Sequence, residues 1–405
     1  MNSQELILIH VTGGDKPGLT AALTEVLARY GVDILDMGQV VIHNFLTLGI
    51  LIRIPRESES APIVKDVLFK AHEMGISLRM HPLDEAKYSE WVAAQGKKRY
   101  IVTLLARQIS ANHISRVAAV LAENELNIDT IHRLSGRVPL QGDAPRQACV
   151  ECSVRGTPTS EKAIREAFMS ISAELGVDIA FQEDDVFRRN RRLVCFDMDS
   201  TLIQAEVIDE LAKRAGVGAE VAAITERAMR GELDFKQSLK KRLSLLKGLP
   251  ETVLEEVAQT LPQTEGAERL ISNLKRVGYQ TAIISGGFTY FGKRLAKQLG
   301  IDYVFANKLE IKNGALTGNV VGDIVDGEMK AELLKSVAAA EGISLKQVIA
   351  VGDGANDLPM LHLAGLGVAF HAKPKVKQDA GHSISTMGLD SILYLIGVRD
   401  REALG

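Results

Sequence analysis

The chain has 405 residues, of which 46% are hydrophobic and 24% charged, a composition typical of ordinary globular proteins and not of disordered ones. The formal net charge is −3 with acids and bases interspersed, which argues against an overall field that would attract nucleic acid or anionic membranes. No apolar run approaches the ~20 residues of a membrane span, and the N-terminus lacks the basic start of a signal peptide, so we expect a cytoplasmic protein.

The first segment predicts a ferredoxin-like arrangement in the order βαββαβ. Gly31 is a suitable C-terminal stop for the first helix. The predicted elements are strand Leu6–Val11, helix Leu19–Tyr30, strands Val32–Met37 and Gln39–Ile54, helix Pro62–Met74 and strand Ile76–Met80.

The same order then returns about a hundred residues later. Asn127-Ile-Asp129 repeats Gly31-Val-Asp33, and Glu174–Ile179 repeats Glu73–Leu78. Two matched landmarks at one spacing indicate a tandem repeat. The elements of the second copy are strand Tyr100–Leu105 and helices Ile114–Asn124 and Ser160–Leu175.

The turn Gly14-Asp-Lys-Pro-Gly-Leu19 lies between the first strand and the first helix, where free backbone N–H groups suit a carboxylate. On these residues the segment resembles the ACT domain, a ligand-sensing module often attached to enzymes of amino-acid metabolism. The resemblance implies an amino-acid pocket at Asp15 and Gly18, completed by a neighbouring subunit. The second copy has Arg107–Asn112 at this turn, without glycine or proline. For both copies the alternative is a dimerisation module without a ligand.

Two local features have plain structural interpretations. Cys149 and Cys152 have a C-x-x-C spacing, but on a strand residues three apart point to opposite faces, so we expect no shared metal or redox site. The basic runs Lys97–Arg99 and Arg188–Arg192 lack interleaved aromatic residues, and we interpret them as solvated entrances to domains. The predicted domains are residues 1–95, 96–185 and 186–405.

From about Arg192 onward, buried strands alternate with helices, which predicts a doubly wound parallel sheet in an α/β domain. Asn313-Gly314 indicates a two-residue hairpin turn, to which we assign the structural role of a small flap. The predicted strands are Leu193–Phe196, Gln280–Ile284, Tyr303–Ala306, Val348–Val351 and Gly367–Ala369.

The first of these strands ends abruptly in Asp197 and Asp199. In open α/β sheets the carboxyl ends of the strands are where ligands bind. Two neighbouring carboxylates suit a hard divalent cation, and an aspartate can also be a covalent nucleophile. An acidic strand cap is the alternative for this stretch taken alone.

Other strand ends carry polar residues that suit phosphoryl transfer, in which positioning and charge stabilisation do most of the work. Ser285 and Gly286 can hold phosphate oxygens, Lys330 can offset the acidic charge, and Asp353 can complete a metal site. The run Gly352-Asp-Gly-Ala-Asn-Asp357 contains the last of these groups.

These four motifs, in this order, resemble those of the haloacid dehalogenase superfamily of phosphohydrolases over residues 192–398. The resemblance implies that Asp197 is the nucleophile and that Asp199 is the proton donor and general base. It further implies Mg²⁺ held by Asp197, the Asp199 backbone carbonyl and Asp353, with Asp357 supporting the metal indirectly. Phosphoryl-binding roles then fall to Ser285, Gly286, Lys330 and Asn356.

A helical insert at about 204–261 resembles the cap of the phosphoserine phosphatases. In that family a glutamate after the nucleophile motif binds the substrate ammonium and a cap arginine binds its carboxylate, which implies these roles for Glu206 and Arg242. Met229 and Phe235 would shield the site from water. Without the family, the charged pair would be surface residues and the apolar pair the core of a cap.

The function implied by both resemblances is Mg²⁺-dependent hydrolysis of L-phosphoserine to L-serine and phosphate through an aspartyl-phosphate. This is the last step of L-serine biosynthesis. We expect a homodimer, with serine as the candidate effector at the first ACT-like copy. A phosphatase acting on other phosphometabolites or on phosphoproteins is the alternative.

Overall fold

The computed structural model describes residues 5–94, 96–137, 139, 141, 147–230 and 232–403, without the side chain of Met229. The chain forms two compact units, residues 1–97 and 98–405. Within the described ranges, no helix is both long enough and apolar enough to span a bilayer.

The first unit has the predicted βαββαβ order, with a four-stranded antiparallel sheet in the spatial order β2-β3-β1-β4 and one additional helix, α3. Alternate residues of β1 and β3, such as Ile9 and Ile50, are buried in one apolar cluster with Leu23 of helix α1. The elements are β1 (Leu6–Gly14), α1 (Leu19–Arg29), β2 (Asp33–Ile42), β3 (Phe45–Arg53), α2 (Ser60–Glu73), β4 (Ser77–Leu83) and α3 (Glu85–Ala94).

One strand boundary in this unit was predicted wrongly. The sequence suggested a break at Gly38, but β2 continues through Gly38, which lies opposite Gly49 of β3. The chain reverses instead at His43 and Asn44, and His43 adopts a left-handed conformation with φ 59°. Because two glycines face each other across the ladder, Gly38 is accommodated inside a strand.

The second unit begins with the second βαββαβ copy, whose sheet has the order β6-β7-β5-β8. Cys152 packs under its helices, whereas Cys149 lies in an apolar cluster with residues of the C-terminal part of the chain, so the two thiols diverge as predicted. The elements are β5 (Arg99–Ala106), α4 (Ala111–Glu123), β6 (Asn127–Arg133), β7 (Ala148–Arg155), α5 (Glu161–Leu175) and β8 (Asp178–Glu183).

Polar contacts join this second copy to the C-terminal part of the same unit. Buried Asp178 accepts hydrogen bonds from the backbone N–H groups of Ser385 (2.7 Å) and Thr386 (2.9 Å). Arg107, in the turn that corresponds to the first copy's glycine-rich turn, forms two hydrogen bonds of 2.9 and 2.8 Å with Glu265. The two parts therefore share one continuous structure.

The basic run Arg188–Arg192 is a solvated entrance only in part, because Arg189 and Arg192 are exposed as predicted but Arg188 and Arg191 are buried. Arg188 is 1% exposed and pairs with Glu151, while Arg191 is 6% exposed and donates to the Lys346 carbonyl at 2.9 Å. These guanidinium groups are tolerated in the interior because carboxylate and carbonyl partners meet them there.

The C-terminal sheet has seven strands in the order β12-β11-β10-β9-β13-β14-β15, all parallel except the edge strand β12. Adjacent residues of β9, such as Val194 and Cys195, belong to apolar clusters on opposite faces, which confirms the doubly wound prediction. The strands are β9 (Leu193–Phe196), β10 (Gln280–Phe288), β11 (Tyr303–Lys312), β12 (Ala315–Val321), β13 (Val348–Gly352), β14 (Leu366–Phe370) and β15 (Ser383–Ile384).

Helices flank this sheet, and four of them form a cap inserted after β9. The β11–β12 hairpin turns at Asn313-Gly314 as predicted, and it also hydrogen-bonds to the cap, because Gly248 N–H donates to the Leu316 carbonyl at 2.8 Å. The cap helices are α6 (Val207–Ala215), α7 (Gly218–Met229), α8 (Phe235–Ser244) and α9 (Thr252–Thr260). The flanking helices are α10 (Ala267–Arg276), α11 (Thr289–Leu299), α12 (Gly327–Ala340), α13 (Leu358–Leu363), α14 (Pro374–Ala380) and α15 (Ile392–Leu395).

Candidate active site

The acidic motifs come together at the carboxyl edge of the seven-stranded C-terminal sheet. Strand β9 lies between β10 and β13, so the residues that follow it have neighbours on both sides. The Asp197 N–H donates to the Val351 carbonyl of β13 at 2.8 Å, which fixes the start of the loop that carries Asp197 and Asp199. The loop itself requires Ser200 in a left-handed conformation, with φ 56°.

Lys330 is the cation at the centre of the site. Its side chain is fully buried, and Nζ donates to Asp197 Oδ1 at 2.8 Å and to Asp357 Oδ1 at 2.5 Å. Burial alone would lower the pKa of Lys330, but the Asp197 and Asp357 carboxylates outweigh it and raise that pKa. An ammonium has three donors, so one remains for a phosphoryl oxygen.

Asp197, Asp353 and Asp357 form an acidic cluster in which one ligand oxygen from each lies within 4.8 Å of the others. Desolvation, followed by repulsion from Asp197 and Asp357, raises the pKa of Asp353 to about 8. Within this cluster Lys330 supplies one positive charge against three carboxylates, so the cluster retains excess negative charge.

The donor set of this cluster fits a hard divalent cation, which takes carboxylate oxygens. Asp357 already accepts from Lys330 and, through Oδ2, from the Gly354 N–H at 2.9 Å. Asp353 has a longer contact, 3.4 Å, with the Thr201 hydroxyl. Asp197 and Asp353 are therefore the better direct ligands, and Asp357 is suited to orienting Lys330 and the Gly354 loop.

Asp199 lies in an environment that favours its protonated form. Desolvation by burial, together with the negative charges of Glu206 and Asp197, raises its pKa well above the ordinary range. Its Oδ1 accepts from the Val207 N–H at 3.3 Å, at the start of helix α6. A β-carbon on Gly287 would lie 2.5 Å from Asp199 Oδ2, so only glycine allows this approach.

Glu206, in the loop after Asp199, and Arg242, in cap helix α8, lie close enough for their charges to interact. Glu206 remains accessible to solvent and accepts a 2.8 Å hydrogen bond from the Ser200 hydroxyl, although surrounding protein desolvates it enough to raise its pKa. Desolvation lowers the pKa of Arg242. The negative charges of Glu206, Asp209 and Asp199 partly offset this effect by raising the pKa. Arg242 Nε is buried without a hydrogen-bond partner among the described residues.

Phe235 of the cap lies against the loop that follows β10. A β-carbon on Gly286 would lie 2.7 Å from Phe235 Cζ, so the ring is in close contact with this loop.

The buried Ser285 hydroxyl accepts from the Gly287 N–H at 3.0 Å, which leaves its own proton free to be donated to a ligand. Asn307 stabilises the same loop, because its Nδ2 donates to the Gly286 carbonyl at 2.7 Å.

Two predicted substrate-binding residues remain, Asn356 and Met229. Asn356 folds back over Gly354, where a β-carbon would lie 2.2 Å from Asn356 Oδ1, and its carbonyl packs against Gly327 at the start of the helix that carries Lys330. Met229 is the last residue of helix α7, and its side chain lies outside the described residues.

The predicted effector residues belong to the first unit. Gly18 has φ 86° and precedes helix α1, so a side chain there would be strained. The exposed Asp15 donates its N–H to the Asn44 carbonyl at 2.8 Å, which fixes the turn against the β2–β3 hairpin.

Sequence reasoning missed three residues of the catalytic site. Gly287 makes room for Asp199, Asn307 supports the Gly286 loop, and Asp209 acts electrostatically on Arg242. A signal for Gly287 was present, since it adjoins Gly286 in the strand-end motif. Asn307 and Asp209 lie in ordinary strand and helix sequence, and only the fold brings them to the site.

Family models match all three parts of the chain. Residues 194–362 match the haloacid dehalogenase-like hydrolases, and residues 5–81 and 99–182 each match an ACT domain.

Characterised relatives match over nearly the whole length. The chain is 41% identical over 403 residues to a phosphoserine phosphatase of Mycobacterium tuberculosis, covering 99% of this chain and 95% of the relative. It is 42% identical over 399 residues to a phosphoserine phosphatase of Streptomyces coelicolor, covering 98% and 93%. A crystal structure of a probable phosphoserine phosphatase from Vibrio cholerae, in unliganded form, superposes with a TM-score of 0.59 at 38% identity, covering 74% of this chain and 86% of that one.

Proposed function

Because the chain belongs to the phosphoserine phosphatase family of haloacid dehalogenase-like hydrolases with N-terminal ACT domains, we propose that it hydrolyses L-phosphoserine to L-serine and phosphate. This reaction is the last step of L-serine biosynthesis. The family assignment rests on the two full-length relatives and on the three matched domains.

The observation that carries the substrate proposal is the partly buried guanidinium of Arg242. Its Nε has no hydrogen-bond partner among the described residues, and leaving such a donor unpaired is costly. A planar guanidinium suits a carboxylate, while Glu206 in the same cleft suits an ammonium. An amino acid carrying a phosphate would satisfy both groups and place its ester at Asp197.

In the proposed reaction, an Asp197 carboxylate oxygen attacks phosphorus and the bond from phosphorus to the serine oxygen breaks. Asp199, held protonated by its buried surroundings, donates its proton to the departing oxygen. The ionised Asp199 then takes a proton from water as that water attacks the aspartyl-phosphate, which releases phosphate and restores both carboxyl groups. Lys330 keeps Asp197 oriented throughout.

We further propose Mg²⁺ as the cofactor, held by Asp197, Asp353 and the Asp199 backbone carbonyl. When bound, Mg²⁺ would neutralise carboxylate charge and stabilise the negative charge of the phosphoryl group. The excess negative charge of the Asp197, Asp353 and Asp357 cluster supports this assignment.

Several residues would bind the phosphoryl group, each through a different contact. The Ser285 hydroxyl proton and the third donor of Lys330 would bond phosphoryl oxygens, with the Gly286 loop and Asn356 completing the surroundings. Phe235 would exclude water from the closed site. Met229 remains a proposed contact by its position in the cap.

Replacing Arg242 by alanine tests the substrate proposal. We expect kcat/KM for L-phosphoserine to fall about 100-fold, because a charge-assisted pair to the carboxylate is lost. An aryl phosphate without a carboxylate should be hydrolysed almost as before. Equal losses on both substrates would remove Arg242 from the proposed role, and Arg214→Ala, on the exposed side of the cap, provides the matched control.

For the first unit we propose amino-acid regulation at Asp15 and Gly18, with serine as the effector, and a homodimer formed through this unit. The exposed apolar side chains of β2 and β3, such as Val40, Ile42 and Phe45, support the dimer. Serine that binds the wild type without changing turnover, or that still acts on a Gly18→Val variant, would contradict the regulatory proposal. Sedimentation of the full chain tests the dimer.

We also propose that the enzyme works in the cytoplasm. Its three cysteines are buried free thiols, as expected in a reducing compartment.

A further inference from the structure

A cavity of about 290 Å³ lies between the cap and the core of the catalytic domain. Its described lining includes Met198, which stands between the two catalytic aspartates, but neither of those aspartates. Ile203 and Leu261 contribute from the two chain segments that enter and leave the cap, and Phe291 and Leu295 contribute from helix α11 of the core. The volume is near the lower end of the ~300–1,000 Å³ typical of small-molecule sites.

The cavity lies beside the hinge of the cap. The two connecting segments run antiparallel, because the Gln204 N–H donates to the Pro262 carbonyl at 2.9 Å and the Thr264 N–H donates to the Leu202 carbonyl at 3.0 Å. Cap movement relative to the core must therefore change the angle at these segments, and with it the shape of the cavity. A molecule that fits one cap position better than another shifts the balance between them.

An ion pair spans the same gap from cap helix α9 to core helix α11. Glu255 of the cap accepts from Arg294 Nη1 at 2.5 and 2.7 Å and from the Tyr290 hydroxyl at 2.8 Å. Both Arg294 contacts use Nη1, so the guanidinium keeps further donors that a ligand acceptor can approach. Because Glu255 balances the charge of Arg294, the cavity wall has no strong net charge.

The chemistry of the lining defines the class of molecule that would fit. The lining combines apolar side chains with the amides of Gln259, Gln263 and Gln298 and the guanidinium of Arg294. These groups suit a small molecule with an aromatic or branched apolar body and one planar carbonyl end, either a carboxamide or a carboxylate. The apolar body would rest on Phe291 and Leu295.

We propose that this hinge cavity is a regulatory binding site for such a small amphipathic molecule, and that its occupant lowers turnover by fixing the angle between cap and core. The cap must open in each cycle to release product, so a fixed angle slows the cycle. This inference needs only that the enzyme is a capped phosphatase, and it does not depend on which phosphate ester is the substrate.

Attachment of a phenyl group at the cavity rim tests the proposal. Gln298 is exposed on α11, and a Gln298→Cys variant can be labelled with N-phenylmaleimide, since the native cysteines 149, 152 and 195 are buried. We expect the labelled variant to lose roughly 5-fold or more in kcat, the smallest effect typical of allosteric coupling. The unlabelled Gln298→Cys variant supplies the reference kcat for this comparison.

Lys297→Cys supplies the matched control, because Lys297 is the exposed neighbour on α11 that does not line the cavity. Labelling it should leave kcat unchanged, and equal losses in both labelled variants, or none in either, would overturn the proposal. Turnover is measured with whichever ester the unlabelled enzyme hydrolyses, so a failed phosphoserine assignment is recognised separately.

A binding measurement without turnover completes the test. Ligand-observed NMR with 3-phenylpropanamide and 3-phenylpropionate should detect binding to the wild type, and the stronger of the two identifies the carbonyl end that the site prefers. Labelled Gln298→Cys should lose this binding and labelled Lys297→Cys should keep it. Binding that survives in labelled Gln298→Cys, or that is absent from the wild type, would contradict the site.

Discussion

At the scale of single residues, the site is governed by an imbalance of charge. Lys330 satisfies Asp197 and Asp357 by direct hydrogen bonds, but Asp353 has no comparable cation within the described part of the chain. The protein therefore carries electrostatic repulsion at the position where we propose Mg²⁺. A binding site that is unfavourable without its ion is a common cost of function.

Replacement of Asp197 by asparagine should abolish turnover while preserving the fold. The amide cannot act as the nucleophile, and Lys330 keeps its hydrogen bond to Asp357. We expect kcat to fall by about 10⁴-fold or more, the loss typical of removing a nucleophile. Phosphate release and thermal melting measure the two effects, and substantial residual turnover would refute covalent catalysis. Asp84→Asn, at an exposed site in the first unit, is the control and should change neither.

Replacement of Asp353 by asparagine should have opposite effects on metal binding and on stability. Mg²⁺ affinity should fall by more than the roughly 10–100-fold expected for an indirect partner, because a direct ligand is lost. In chelator the variant should be about 1–2 kcal/mol more stable than the wild type, because repulsion from Asp197 and Asp357 is relieved. Calorimetric titration and melting curves measure these quantities. Unchanged Mg²⁺ affinity would remove Asp353 from the metal site.

Short motifs in the sequence were enough to predict which residues meet at the edge of the sheet. Asp197 and Asp199 could be recognised because two acids directly follow an apolar strand, and the last motif presents Asp353 and Asp357 together. Asn307 and Asp209 could not, since each acts through tertiary proximity to a loop or a guanidinium distant in the chain. Nor could the sequence reveal the partnerless Nε of Arg242, which depends on burial.

At the scale of secondary-structure elements, the second βαββαβ copy is part of the catalytic unit's framework. Strand β8 supplies Gln182, which donates to the Leu395 carbonyl at 3.1 Å, and Asp178, which binds the Ser385–Thr386 segment. In the turn between the first strand and first helix of this copy, Arg107 forms an ion pair with Glu265. We assign effector binding to the corresponding turn of the first copy. The same turn would therefore bind a ligand in the first copy and stabilise the structure in the second.

Replacement of Asp178 by alanine should destabilise this framework. Three hydrogen bonds from Ser385 and Thr386 would be lost, two of them leaving buried or half-buried backbone donors without a partner. We expect a loss of about 2–4 kcal/mol in the free energy of unfolding of the second unit. Urea unfolding of the full chain measures it. Glu166→Ala, which removes an exposed carboxylate from α5, should stay within about 0.5 kcal/mol of the wild type.

The element predictions failed where a residue's partner is remote in sequence. The order of strands and helices followed from periodicity, and it was confirmed in both copies and in the catalytic sheet. The break at Gly38 was wrong because the glycine faces Gly49 across the ladder. Arg188 was predicted to be solvated, but it is buried against Glu151, which lies 37 residues earlier in the chain.

At the scale of the whole molecule, stability of the second unit should depend on pH through His382. The His382 ring lies between β14 and the second copy, where its Nε2 contacts the Phe181 carbonyl at 3.0 Å. Desolvation lowers its pKa to about 4 from the ordinary value of 6.5. The unfolded chain therefore binds the proton more readily between these values, and stability falls as pH falls through that window.

Acidification from pH 7 to pH 5 should thus cost roughly 1–2 kcal/mol at this residue. A His382→Gln variant should lose that part of the pH dependence, even if it is less stable at neutral pH. Urea unfolding of the wild type and the variant at both pH values gives the difference. An identical pH dependence in the two proteins would show that His382 is not the titrating group. His132→Gln, at an exposed site in β6, is the control.

The most direct test of the central claim is phosphate release from L-phosphoserine, phosphothreonine and an aryl phosphate, each measured with Mg²⁺ and with chelator. The proposed site predicts a strong preference for L-phosphoserine that depends on Mg²⁺, because the ammonium, carboxylate and phosphate of that substrate each meet a group in the cleft. Mg²⁺-dependent turnover of the aryl phosphate without turnover of L-phosphoserine would preserve the phosphatase chemistry but contradict the roles of Glu206 and Arg242. Phosphoserine turnover unaffected by chelator would contradict the metal site.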